Sequence, residues 1–248
     1  MRRISRAFLF LSLGAASALA QTPTPGKAAD QPKARPPWEM EWAYLSKYRD
    51  ADAQLGPPGV TENRVVFYGD SITDGWGTLD GEFFAAKPYV NRGIGGQTTS
   101  QLLVRFRQDV IGLKPAAVVI LGGTNDIAEN GGITTLEAIE ENLQSMVELA
   151  QVNGIRVILA SVLPTLDYPW RPGLKPRDKI TALNRWMENY CRLNHLVYVD
   201  YYSATVDANG ALRPELTKDG VHPNNAGYLI MGPLAEEAIS KALKGRTS

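Results

Sequence analysis

The sequence predicts an α/β chain: a three-layer α/β/α sandwich around a five-stranded parallel sheet in flavodoxin-like strand order. Three observations carry this. From Arg64 onward, short β-branched or apolar runs alternate with amphipathic helical stretches, the pattern of parallel strands joined by crossover helices. One run, Ala116 to Leu121 (AAVVIL), is continuously apolar, as befits a strand covered on both faces. Glycine, serine, asparagine and aspartate gather directly after the strands, where an open parallel sheet forms its ligand crevice. The 248 residues, 44% of them hydrophobic, suffice for one sizeable core and one domain.

The chain opens on Met1-Arg-Arg-Ile-Ser-Arg6, continues in small and apolar residues from Ala7 to Leu19, and reaches Ala18-Leu-Ala20. A charged start, a short apolar middle and an Ala-x-Ala site predict a signal peptide over residues 1–20, cleaved after Ala20. The apolar run is shorter than the roughly 20 residues that span a bilayer. The residue directly after the cleavage site is Gln21, not a cysteine, so no membrane anchor is expected after cleavage and the mature chain is expected to be secreted or periplasmic. Removing Arg2, Arg3 and Arg6 leaves 23 basic residues against 26 acidic, a net charge of −3. That balance offers no electrostatic footprint for nucleic acid or an anionic membrane. Cys191 is the only cysteine, so no internal disulfide is possible, and its helical position predicts a small buried hydrophobe.

Residues 21–37 (QTPTPGKAADQPKARPP) hold no large apolar side chain and predict a disordered linker. The folded domain is expected over 38–248. Trp38, Trp42 and Leu45 recur at helical spacing, predicting an amphipathic helix that ends near Arg49. Arg64 to Tyr68 predicts the first strand and Tyr89 to Arg92 the second, followed by a helix marked by Leu102, Leu103, Phe106 and Val110. After the third strand, Ala116–Leu121, Thr134-x-x-Glu137 predicts a capping box. It opens a helix striped by Leu136, Ile139, Leu143, Met146, Val147 and Ala150 and stopped at Asn153-Gly154. Arg156 to Ala160 predicts the fourth strand, Ile180, Leu183, Met187 and Tyr190 the next helix, Leu196 to Val199 the last strand, and about Ala226 to Leu243 the terminal helix.

The polar residues then fall on one rim. Ser71 follows the first strand, the loop Asn91-Arg-Gly-Ile-Gly-Gly-Gln-Thr98 the second, Gly122-Gly-Thr-Asn125-Asp126 the third, and Asp219-Gly-Val-His222-Pro-Asn lies beyond the fifth. With the first strand between the second and third, Ser71 is flanked by the glycine loop and by Asn125. A serine hydroxyl needs a base to become a nucleophile, and histidine suits that role. His195 precedes the last strand, at the opposite end of the sheet, so His222 is the candidate base. Asp219, three residues earlier, can hold the orientation of His222. Backbone amides freed by Gly93, Gly95 and Gly96, together with the Asn125 side chain, are suitable donors to a developing oxyanion. A dinucleotide fingerprint is not met, since Gly93-x-Gly95-x-x-Thr98 lacks a small third residue and follows the wrong strand. Two distant histidines offer no zinc-type cluster, and no Gly-x-Ser-x-Gly elbow is present.

Gly69-Asp70-Ser71, the Asn91…Gly96 loop, Gly123-Thr-Asn125-Asp126 and Asp219-Gly-Val-His222-Pro resemble, in order, the four signature blocks of the SGNH (GDSL) hydrolase family. The resemblance spans nearly the whole folded chain. It implies a three-layer α/β/α fold and serine-dependent ester hydrolysis without metal or cofactor. The family pattern places the second-block glycine five residues after the asparagine, which selects Gly96, with Gly95 the alternative if the loop is shifted. Within the family the chain resembles the small bacterial platelet-activating-factor-acetylhydrolase-like branch and the carbohydrate acetylesterases. The expected substrate is an acetyl or short-chain acyl ester, small or on a glycan. Trp76, Tyr168, Trp170 and Arg171 are the candidate contacts to its alcohol moiety, and the proline-rich segment Leu163–Pro176 the stiff loop that carries three of them. A thioesterase or lysophospholipase of the same fold is the alternative. A non-catalytic carbohydrate-binding module would be expected to lack Ser71 or His222, and both are present.

Overall fold

The computed structural model describes residues 41–244; the expected signal peptide, the linker and Trp38 lie outside them. Five parallel strands, β1 (Val65–Gly69), β2 (Tyr89–Gly93), β3 (Ala117–Leu121), β4 (Arg156–Ala160) and β5 (Val197–Val199), form one sheet in the order β2-β1-β3-β4-β5. Register is direct: Val65 faces Tyr89 on one side and Ala117 on the other. β1 and β3 are buried at every position, which is why they read as unbroken apolar runs.

Eight helices are described: α1 (Arg49–Leu55), α2 (Ser71–Leu79), α3 (Thr99–Asp109), α4 (Thr124–Ile127), α5 (Leu136–Val152), α6 (Arg177–Leu193), α7 (Tyr201–Thr205) and α8 (Asn225–Lys244). Alternate strand residues feed two cores, as the two-residue period of a strand requires. Val66, Tyr68, Val118 and Ile120 pack with the apolar stripes of α3, α5 and α6. Val65, Phe67, Val119 and Leu121 pack with Ile72 and Trp76 of α2 and with Tyr228, Met231 and Ala235 of α8. The three-layer architecture and the strand order are those the sequence predicts. Among the described residues no helix is long and apolar enough to cross a membrane.

Two local expectations are corrected. Residues 41–48 form turns, and the helix begins only at Arg49. Their backbone carbonyls are engaged elsewhere: Gln97 Nε2 donates to Ala43 O at 3.0 Å and Gln101 Nε2 to Trp42 O at 2.7 Å. Tyr44 sits at φ +53°, which a helix does not tolerate. The cap of α5 is Thr135, whose hydroxyl accepts from the Ala138 amide at 3.2 Å, one residue later than expected. A capping box occurs instead at α3, between Thr98 and Gln101. There the Asp126 carboxylate also accepts from the Thr99 amide and hydroxyl, at 2.9 and 2.6 Å. Those bonds tie α4, just after β3, to the first residue of α3.

At the end of β2 close approach requires glycine. A Cβ at Gly93 would lie 2.1 Å from the Asp74 amide nitrogen, so the end of β2 can run under the first turn of α2 only without a side chain. Asn91 strengthens the junction, donating to Thr73 O at 2.6 Å and accepting from the Gly93 amide at 2.9 Å.

Candidate active site

β1 ends at Gly69, and Ser71 is the first residue of α2. Asp70 caps that helix, its Oδ1 accepting from the Ile72 amide at 2.9 Å. From the far end of the chain, the loop before α8 returns to the same rim. His222 Nε2 lies 2.9 Å from Ser71 Oγ, and His222 Nδ1 lies 2.6 Å from Asp219 Oδ2. Residues 151 apart in sequence thus meet across the sheet's carboxyl end. The loop is wound around Asp219, whose Oδ1 accepts from the amides of His222 and Val221 at 2.8 and 3.0 Å. Partial burial pushes the Asp219 carboxyl up, but the bonds from the His222 amide and ring and the Val221 amide outweigh it and hold the carboxyl below its ordinary value. A carboxylate there accepts a hydrogen bond from Nδ1–H and leaves Nε2 as the acceptor facing the serine hydroxyl.

The loop after β2 borders Ser71 on one side. A Cβ at Gly95 would stand 3.8 Å from Ser71 Cβ, whereas one at Gly96 would meet nothing within 4 Å. Gly96 adopts φ +77°, a conformation that glycine enters without steric cost. Among the described residues neither amide donates to a backbone carbonyl. On the other side Asn125, buried at the start of the short helix after β3, donates from Nδ2 to Gln97 O at 3.1 Å. Ser71, His222 and Asp219 are therefore brought together, Gly95 is the glycine that stands beside the serine, and Asn125 is tied to the same loop through Gln97. Such an arrangement can deliver a serine oxygen to an ester carbonyl and receive the negative charge that develops there.

The four expected substrate contacts divide. Trp76 is 2% exposed, stacked between Phe83 and Tyr228 and edge-on to Phe67. Placed one and a half turns into α2, it faces the core beneath the rim, so it is not a surface contact. Tyr168 is wholly buried, its hydroxyl 3.1 Å from Thr124 Oγ1. It supports the loop from below. Trp170 is 44% exposed, with its ring centroid 5.9 Å from that of His222. Arg171 is exposed beside it and pairs with Glu129 at 3.3 Å. His195 lies on the surface before β5, away from the rim, as expected. Two residues at the site had no motif to announce them. Arg105, fully buried on α3, donates to Gln97 Oε1 and Gly69 O, and Asn130 contacts Asn125.

A cavity of about 620 Å³ opens beside the histidine, lined by Leu79, Lys218, Asp219, His222, Pro223 and Asn225. A larger cleft of about 830 Å³ lies at the amino ends of β3, β4 and β5, among Lys114, Arg156 and His195. It brings no nucleophile to a base, whereas the smaller one is walled by Asp219 and His222, although not by Ser71.

Asp70 is the second carboxyl near the histidine, and its environment is the opposite of that of Asp219. Burial pushes it up to about 7, against the Ile72 amide bond and the attraction of His222. Its Oδ2 is buried with no partner among the described residues, a placement that penalises the charged form. In the unfolded chain the group ionises near its ordinary value of about 4. The folded state thus holds a proton that the unfolded state has lost, and this contribution to stability is lost as pH rises from about 4 to about 7. Asp70→Asn should accordingly gain stability relative to wild type across that window, by a few kcal/mol, and the difference should level off above it. Equilibrium denaturation of both proteins at a series of pH values measures this, and a difference constant with pH would contradict it.

The family model described as the GDSL-like lipase/acylhydrolase family matches residues 67–230, which contain every residue of the Ser71–His222–Asp219 arrangement. A crystal structure of a GDSL-like lipase from Bacteroides thetaiotaomicron is 48% identical, covers 82% of this chain and all of that chain, and superposes with a TM-score of 0.80. An acetylxylan esterase from Geobacillus stearothermophilus is 28% identical over 68% of this chain and 90% of its own length. An uncharacterized lipoprotein of Bacillus subtilis is 32% identical over 42% of this chain, a match that spans only 49% of that lipoprotein. This chain belongs to the GDSL-like lipase/acylhydrolase family and is a carboxylic ester hydrolase.

Proposed function

We propose that this protein is an exported serine esterase that removes acetyl or other short acyl groups from carbohydrate. The observation that carries the catalytic part is the pair of bonds linking Ser71 Oγ to His222 Nε2 at 2.9 Å and His222 Nδ1 to Asp219 Oδ2 at 2.6 Å. In this reading Ser71 Oγ attacks the ester carbonyl while His222 Nε2 takes its proton. The tetrahedral oxyanion accepts from Asn125 Nδ2 and the Gly96 amide. Collapse breaks the bond to the alcohol oxygen, which takes the proton from His222. Water, deprotonated by the same ring, then releases the acid and restores Ser71. Asp219 keeps the ring oriented and its positive form stabilised throughout.

The substrate part rests on the rim. The leaving alcohol must reach His222 Nε2, and in this reading it extends toward the cavity of about 620 Å³ that flanks the ring. Exposed Trp170 borders the ring and Arg171 follows it on the same loop, together offering an aromatic face and a charge of the kind that polar alcohols such as sugars use. The loop that carries them is tied down: the Asp167 carboxylate accepts from the Tyr168 and Gly173 amides at 3.0 and 2.7 Å. A pinned loop suits a small acyl group better than a long one. The acetylxylan esterase relative supports acetylated carbohydrate. Export is supported by the charged-then-apolar start of the sequence and by the relative described as a lipoprotein.

Ser71→Ala is expected to lower kcat on the order of 10⁴-fold or more, because among the described residues no second group is placed to form the acyl-enzyme. Substantial turnover by a clean preparation would reject the nucleophile. The acyl and alcohol assignments are checked by kcat/KM on p-nitrophenyl esters from acetate to palmitate, alongside acetate release from acetylated xylan. A maximum at the shortest chains with acetate released is expected. A maximum at medium or long chains, with none released, would move the reading to a thioesterase or lysophospholipase.

A further inference from the structure

An asparagine can stabilise an oxyanion in only one of its two amide orientations, since the other turns an acceptor toward the developing charge. The orientation of Asn125 is set by groups outside the Ser71–His222–Asp219 arrangement. Asn130 Nδ2 donates to Asn125 Oδ1 at 2.6 Å, and Trp170 Nε1 donates to Asn130 Oδ1 at 3.0 Å. At the other end Asn125 Nδ2 donates one hydrogen to Gln97 O at 3.1 Å. An indole N–H can only donate and a backbone carbonyl can only accept. Both ends of the series are therefore chemically unambiguous, and the direction of each amide between them follows. The second Nδ2 hydrogen of Asn125 is left over.

The backbone brings Asn130 back over Asn125 by a Schellman turn. The Asn130 amide bonds Asn125 O at 3.0 Å and the Glu129 amide bonds Asp126 O at 2.9 Å. Glu129 occupies the left-handed position of that turn, at φ +57°, where glycine is the usual residue. Its carboxylate accepts from Arg171 Nη1 at 3.3 Å. Two adjacent residues of this turn, Glu129 and Asn130, thus clasp two adjacent residues of the rim loop, Arg171 and Trp170.

We propose that Asn130 is a positioning residue that fixes the amide orientation of Asn125, with Trp170 as its donor-only anchor. This rests on the reading of Asn125 as an oxyanion donor. It gives Trp170 a duty separate from any contact with substrate: the ring that flanks His222 also holds Asn125, through one N–H and one amide.

The test is a double-mutant cycle on the full chain with p-nitrophenyl acetate. Asn130→Asp preserves shape but turns an acceptor toward Asn125 Oδ1. It should lower kcat about tenfold to a hundredfold with KM within about twofold. Asn125→Ala alone should lower kcat about 10²- to 10³-fold. The double variant should be no slower than Asn125→Ala, because no amide remains to be oriented. Trp170→Phe keeps an aromatic ring beside His222 and removes only the N–H. Its smaller loss of kcat should likewise vanish in the Asn125→Ala background. Asn130 is exposed, so unchanged melting temperatures are expected, and Trp170→Phe carries the same test should Asn130→Asp fold poorly. If Asn125→Ala is slow while Asn130→Asp and Trp170→Phe are not, the positioning role is overturned. It is equally overturned if the losses add, which would mark an effect of charge or packing that bypasses Asn125. If Asn125→Ala itself retains full kcat, the oxyanion reading fails first and the positioning role with it.

Discussion

A fully buried guanidinium organises the rim. Arg105 has no exposed surface, and burying its charge is tolerable only if every neighbour answers it. Asp109 does so with a bond of 2.9 Å, Gly69 O with another of 2.9 Å, Gln97 Oε1 with one of 2.5 Å, and the Tyr68 ring lies 4.2 Å beneath it. Each partner belongs to a different part of the site. Gly69 ends β1 two residues before Ser71, Gln97 follows Gly96, and Asp109 closes α3. Gln97 extends the network, accepting from Asn125 at its carbonyl and donating from its side chain to Ala43 O. Stripping one partner from such a buried pair costs on the order of 3–5 kcal/mol. The geometry between nucleophile and glycine loop is therefore fixed as firmly as the core itself.

Around that frame, two carboxyls near one histidine are driven apart by their surroundings. Asp219 sits in a loop whose amides stabilise its charge, and its value falls. Asp70 is sealed beneath α2 with one oxygen unanswered, and its value rises to about 7. Separation of this kind assigns roles. The charged carboxyl is the one that can orient an imidazole and stabilise its positive form. The one that tends to neutrality can cap a helix without competing for the ring. A serine set between them, at the first residue of a helix, meets one charged partner chain rather than two.

Much of this was legible in the sequence, for physical reasons. Strands buried on both faces must be apolar throughout, so AVVIL and VVFY announce themselves. Function in such a sheet gathers at the carboxyl ends, so the residues after each run were the ones to weigh. What failed was what depends on partners remote in sequence. Trp42 and Leu45 have helical spacing, yet carbonyls of their segment are claimed by glutamines of α3 and its preceding loop. An aromatic residue near a rim can line it or brace it from below, and Trp76 and Tyr168 brace it because α2 and the rim loop turn them inward. Arg105 and Asn130 carry no motif of their own. Asn130 becomes visible only when the turn at Glu129 folds it over Asn125, and Arg105 only when β1 and the loop after β2 close over its helix.

The central claim is that Ser71, activated by His222, is the nucleophile. Its most direct measurement is covalent: exposure of the purified protein to a fluorophosphonate, followed by peptide mass spectrometry, in wild type and in His222→Ala. The account predicts one adduct per chain, on the peptide containing Ser71, and its near-complete loss when the imidazole is removed although the serine remains. An adduct on another residue, or labelling of Ser71 at an undiminished rate without His222, would contradict it.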